Sequence, residues 1–70
     1  MEYITLDGLK AVGKAFKILL VESPLDFPAI TNDDHMTLLF IPRSFTLSEK
    51  GRVLGQCIHS LIAQGKVNAA

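Results

Sequence analysis

Cysteine is nearly absent from this sequence. Cys57 is the only one, so no disulfide can close within the chain, and a lone free thiol suits a reducing compartment better than a secreted one. Histidine is almost as scarce, with His35 and His59 alone. Those three residues do not make the closely spaced ligand pairs of a structural zinc site. An excess of charge is missing too: seven Lys and Arg stand against seven Asp and Glu, which argues against a strongly basic nucleic-acid binder and against an acidic tail. No apolar run is long enough to span a membrane. The most apolar stretch, Ala11 to Val21, is too short and contains Lys14 and Lys17. Met1-Glu2-Tyr3 lacks the positive opening of a secretory signal. These features predict a cytoplasmic protein that makes no use of a membrane. There is no phosphate-cradling glycine loop, nucleophile elbow or zinc-protease helix, so neither catalysis nor a cofactor or metal is expected.

What the chain does have is apolar surface. Of its 70 residues, 49% are hydrophobic and the mean hydropathy is +0.32. A chain near this size buries only about 60% of the surface its unfolded form exposes, and its core rarely supplies more than about 3–5 kcal/mol. With disulfides and metals excluded, association with a second copy or a larger partner is the remaining way to hold such a chain together. Charge is also unevenly spread. Lys10, Lys14 and Lys17 face six carboxylates in residues 1–34, whereas Arg43, Lys50, Arg52 and Lys66 face only Glu49 in residues 35–70. The two halves can therefore attract, within one fold or between copies.

Thr5 reads as the N-cap of a first helix, with Asp7 in its first turn and Ile4 and Leu9 at the staple positions. Leu9, Val12, Phe16, Leu19 and Leu20 recur at helical spacing, which predicts a helix from Leu6 to about Glu22, ended by Ser23-Pro24. Lys10, Lys14 and Lys17 form a stripe opposite, and Ala11, Ala15 and Ile18 widen the apolar arc enough for two neighbours. Residues 23–35 read as a loop pinned to the core by Phe27 and Ile30, with Asp33-Asp34-His35 as a polar turn. Thr37 to Ile41, bounded by Pro42, fits either a buried strand or a short helix. The proline and the short length favour the strand. Thr46 and Glu49 form a capping box for a second helix. Its apolar face carries Leu47, Leu54, Cys57, Ile58, Leu61 and Ile62, and Gly65 caps its end. Lys66 to Ala70 reads as a frayed tail.

Two clusters stand out as candidate sites. Arg43, Lys50 and Arg52 add positive charge around the second helix's N-terminus, where an anion or an acidic partner surface would be favoured. Gly51-x-x-x-Gly55 runs along the edge of the same helix's apolar face, beside Leu54, Ile58 and Ile62. Two helix-interior glycines suggest close approach of another helix, from this chain or from a second copy. Cys57, on the apolar face and with no histidine on its side, reads as a structural thiol. Phe45-Thr46-Leu47-Ser48-Glu49-Lys50-Gly51-Arg52 resembles the strand-to-helix segment x-L-T-x-K-G-R at the end of many winged-helix transcription regulators. The resemblance covers about a tenth of the chain and implies DNA binding. In that family three helices precede the segment, whereas one is predicted here.

The sequence thus predicts one compact α+β domain over residues 1–70, with two helices and one or two short strands. Tyr3 to Leu6 would pair in parallel with Thr37 to Ile41, and an all-α helical pair closed by dimerisation is the alternative. The expected function is a non-enzymatic protein-interaction module, a regulator or inhibitor whose partner is a larger protein or a second copy. A winged-helix-like DNA-binding regulator is the alternative.

Overall fold

The computed structural model describes residues 4–67. It has an α+β fold in the order α1 (Leu6–Ala15), β1 (Ile18–Ser23), β2 (Ala29–Asn32), β3 (Thr37–Pro42) and α2 (Leu47–Ala63). Three strands form one sheet in the order β1-β3-β2, with β1 parallel and β2 antiparallel to β3. Both helices pack on one face of this sheet. Ile18, Leu39 and Ile41 from the strands meet Leu54, Cys57 and Leu61 of α2 in the core, and Leu9 of α1, Phe16 and Leu20 close around them. The sheet rules out the all-α alternative.

α1 begins as its capping residues predict: the Thr5 side chain accepts a hydrogen bond from the Gly8 N–H at 3.0 Å. It ends well before Glu22, however, and the second half of the expected helix is strand β1. Ile18-Leu19-Leu20-Val21 satisfies a helical stripe and a buried strand equally well, and pairing with β3 along six residues decides for the strand. The chain reverses at Phe16-Lys17. Lys17 takes a left-handed φ of 60°, so the lysine stripe is broken after Lys14. Gly13 permits the reversal, because a Cβ there would lie 2.9 Å from the Ile18 carbonyl oxygen.

The segment expected to be a loop contains β2. Phe27 and Ile30 do not pin it to the core, as they are 55% and 50% exposed. Residues 24–36 instead form the crossover that parallel strands require, and β2 is laid down within it on the far side of β3. The turn after β2 is polar, as predicted. Asp33 Oδ1 accepts from the N–H groups of His35 and Met36 at 2.7 and 2.8 Å, and these backbone donors hold the Asp33 carboxyl below its usual pKa. The strand over Thr37 to Ile41 is present and extends to Pro42, but its parallel partner is β1. Ile4 and Thr5 lie outside the strands and Leu6 opens α1, while Tyr3 lies outside the described residues.

α2 follows its sequence signals closely. Thr46 and Glu49 make both halves of the capping box, which depresses the Glu49 pKa. At the other end Gly65 has φ 74°, the Lys66 N–H reaches the Leu61 carbonyl and the Gly65 N–H reaches that of Ile62, a Schellman termination. Residues 68–70 of the expected frayed tail lie outside the described residues.

Two variants separate packing from helix propensity. Gly13→Ala should destabilise by about 1–2 kcal/mol, because its methyl meets backbone that cannot yield freely. Gly55→Ala, with open space around the new methyl, should stabilise by about 0.5–1 kcal/mol. Denaturant unfolding reads both signs. Leu54→Asp places an unpaired charge at a position 2% exposed, and should abolish the cooperative transition in the same measurement.

Candidate functional site

Side chains alternate across a strand, so the register assigns every sheet residue to a face. Ile18, Leu20, Thr37, Leu39 and Ile41 point toward the helices. Leu19, Val21 and Ser23 of β1, Leu38, Phe40 and Pro42 of β3, and Ala29 and Thr31 of β2 point the other way. Those eight positions include six apolar residues, two hydroxyl side chains and no charge; Ser23 and Pro42 at one end are buried, Val21, Ala29, Leu38 and Phe40 half-buried, and Leu19 and Thr31 exposed. None belongs to the core cluster, and among the described residues no helix or strand packs over them. Leu19 is 38% exposed and shares a hollow with Met36, which is 39% exposed. At the opposite end the Ser23 hydroxyl accepts from the Leu25 N–H and donates to the Phe27 carbonyl. This ties the β1–β2 loop to the strand end and leaves the Leu25 and Phe27 side chains exposed beside it.

Sequence reasoning missed this face. The signal was present: β1 and β3 read as continuous apolar runs, Ile18 to Val21 and Leu38 to Ile41, not as alternating ones. Such runs belong to strands covered on both sides, as is usual for parallel pairs. Here only one side is covered.

The basic cluster is brought together in part. Arg43 and Lys50 join Lys10 and Glu22 around a hollow of about 180 Å³ whose apolar lining is Leu6, Leu20, Val21 and Ile41. Arg43 donates to Glu22 through Nε and Nη2 at 3.0 and 2.9 Å, an ion pair between the acidic and basic halves of the chain. Arg52 does not line this hollow. It stands three residues along the helix from Glu49, whose charge it favours. The glycine pair is divided as well. A Cβ at Gly51 would make ordinary contact with Leu9 of α1 at 3.7 Å, and Gly55 is open, so neither is held by a close backbone approach within the chain. Leu54 is committed to the core, and Ile58 packs against it, while Ile62 is half-buried on the same helix.

The remaining reactive groups are dispersed. Cys57 is buried, and burial raises its thiol pKa, which disfavours the nucleophilic thiolate. His59 is exposed on α2 and His35 on the β2–β3 turn. Among the described residues no three His, Cys, Asp or Glu side chains converge as metal ligands, and no helix is long and apolar enough to cross a membrane. The segment from Phe45 to Arg52 forms the β3–α2 junction, and one described helix precedes it, in contrast to the three of winged-helix regulators.

Because the Arg43–Glu22 pair is largely exposed, with 84% and 57% of the side chains accessible, it contributes little stability. The double variant Arg43→Glu with Arg52→Glu should stay folded, within about 1 kcal/mol of the parent by denaturant unfolding. Collapse of the fold would make the cluster an internal structural element.

Comparison of the chain with protein-family models, with curated proteins and with solved structures finds no match in any of the three.

Proposed function

We propose that this chain is a non-enzymatic protein-interaction module that acts by burying the open face of its sheet against another polypeptide. The observation that carries the reading is the apolar face formed by Leu19, Val21, Ala29, Leu38 and Phe40, opposite the face the helices cover. Apolar area removed from water is worth about 25 cal/mol per Å², so covering such a face is a substantial driving force in a chain of marginal stability. With no charge on the face, the complementary surface is apolar protein and not an anion, a nucleic acid or an acidic peptide. The basic residues Arg43 and Lys50 stand beside the β1 edge of this face, in the hollow that Val21 also lines, with Arg52 farther along α2, where such charges can tune association without driving it.

The test is recovery of the chain from its native cells under gentle conditions, alongside the variant Phe40→Lys. The parent should come away with a stoichiometric polypeptide, another protein or a second copy. Phe40→Lys should keep its far-UV circular dichroism and lose that polypeptide. A parent chain recovered monomeric and alone, with its sheet face reactive to solvent-borne labels, would overturn the proposal.

A further inference from the structure

The geometry points to the outer edge of β1 as a docking site for an extended segment of another protein, added to the sheet as a further strand and alternating acidic with apolar residues. This edge is a second surface, separate from the open sheet face, and its occupancy does not require that face to be covered.

Three observations carry it. The first is the edge itself. β3 lies between its two neighbours, so among the described residues β1 is paired on one side only. The Thr37 N–H donates to the Lys17 carbonyl, which aims that carbonyl at β3. Backbone groups alternate in direction from one strand residue to the next, so Leu19 and Val21 also turn theirs to β3. Leu20 and Glu22 turn their N–H and C=O groups outward. A row of such donors and acceptors on a sheet edge is a template for another strand.

The second is the shape beside that edge. Three hollows follow β1 along its length. One is lined by Lys17, Ile18 and Leu19, the next by Leu19 and Leu20, and the last by Leu20, Val21 and Glu22. Successive strand residues point to opposite faces of a sheet, so each hollow wraps the rim of the strand and is not confined to one face. An added strand is held by main-chain hydrogen bonds and selected by pockets for its alternate side chains. This edge supplies both.

The third is charge. The chain is neutral overall, yet these hollows hold five of its seven Lys and Arg and only two of its seven Asp and Glu. Glu22 answers Arg43, and among the described residues no carboxylate stands within ion-pair distance of Lys10, Lys14, Lys17 or Lys50. Lys10 and Lys14 of α1 and Lys50 of α2 line the hollows from the helix side of the sheet, whereas Leu19 and Val21 point to the open side. An incoming strand alternates too. The one that matches sends carboxylates toward the lysines and apolar side chains toward the open side, beside Leu19 and Val21. A second copy pairing edge to edge would set these lysines against their own kind. A phosphate backbone offers acceptors alone and leaves the outward carbonyls of Leu20 and Glu22 unanswered.

The experiment titrates the purified full-length chain, followed by amide nuclear magnetic resonance, with synthetic peptides of about eight residues, long enough to span β1. One alternates valine with glutamate, and its control alternates valine with glutamine. The glutamate peptide should bind at least about tenfold more tightly than the control, and its affinity should fall as salt is raised. The Leu20 and Glu22 amides should gain protection from hydrogen exchange when it binds. Lys10→Glu with Lys14→Glu, both exposed on α1, should keep the far-UV circular dichroism of the parent and weaken binding by more than about tenfold. Should that variant fail to fold, Lys10→Gln with Lys14→Gln provides the same test. A glutamate peptide methylated on alternate backbone nitrogens keeps its charge and loses its edge donors, so it should not bind. Equal binding of the methylated peptide would overturn strand addition. Absence of binding, or binding that leaves the Leu20 and Glu22 amides unprotected, would also overturn the proposal and leave the lysines as a guard against edge pairing. Tighter binding of a single-stranded oligothymidylate at the same amides would overturn the peptide in favour of a nucleic acid.

Discussion

The close approach of Gly13 to the Ile18 carbonyl governs how the rest of the chain is arranged. A methyl carbon on Gly13 would sit only 2.9 Å from that oxygen, so there is room for a hydrogen and for nothing larger. α1 can therefore lie directly against the first residue of β1, with the reversal absorbed by Phe16 and a left-handed Lys17. The Thr37 N–H donates to the Lys17 carbonyl at 2.8 Å, which places the start of β3 beside the start of β1. From there the parallel register follows residue by residue. A helix that continued through Lys17 would remove β1, and with it one neighbour of the most buried strand.

That register also explains why one face of the sheet is finished and the other is not. The helix-facing residues of β1 and β3 meet Leu54, Cys57 and Leu61 and form the core. α1 and α2 together cover one side of three strands, and the described chain has no further element to place on the other. The same physical fact underlies the proposed function: apolar side chains in a parallel pair are stable when water is excluded from both faces, and here the second face is only half-buried. Charge plays a smaller part. Arg43 and Glu22 join the two oppositely charged halves at the surface, where solvent screening leaves such a pair weak.

Local chemistry was legible wherever a few neighbouring residues suffice. Thr5, Thr46 with Glu49, Gly65 and the Asp33 turn all do what their side chains dictate, because a cap or a turn is closed by groups within four or five positions of one another. Thr37 to Ile41 was readable as a strand because the bounding Pro42 and the short apolar run agree. The basic residues Arg43 and Lys50 do come together, although Arg52 does not join them at the hollow. Lys10, from the other end of the sequence, takes that place.

Where sequence and structure part, the deciding partner lies far along the chain. Ile18 to Val21 carries helical spacing and strand composition at once, and only pairing with β3, about twenty residues away, selects the strand. β2 was hidden among turn-forming residues because its four positions gain structure from hydrogen bonds to β3 and not from a pattern of their own. The continuous apolar runs of β1 and β3 carried a signal for both faces, but which side of the sheet is covered depends on where the helices come to rest. The sequence by itself determined where both helices begin, where the second one stops, the polar turn, the central strand and the surplus of apolar surface. Tertiary structure alone decided that the first helix gives way to a strand after Ala15 and that the surplus collects on one side of a sheet, because burial is settled by contacts between distant segments and not by the order of residues within any one of them.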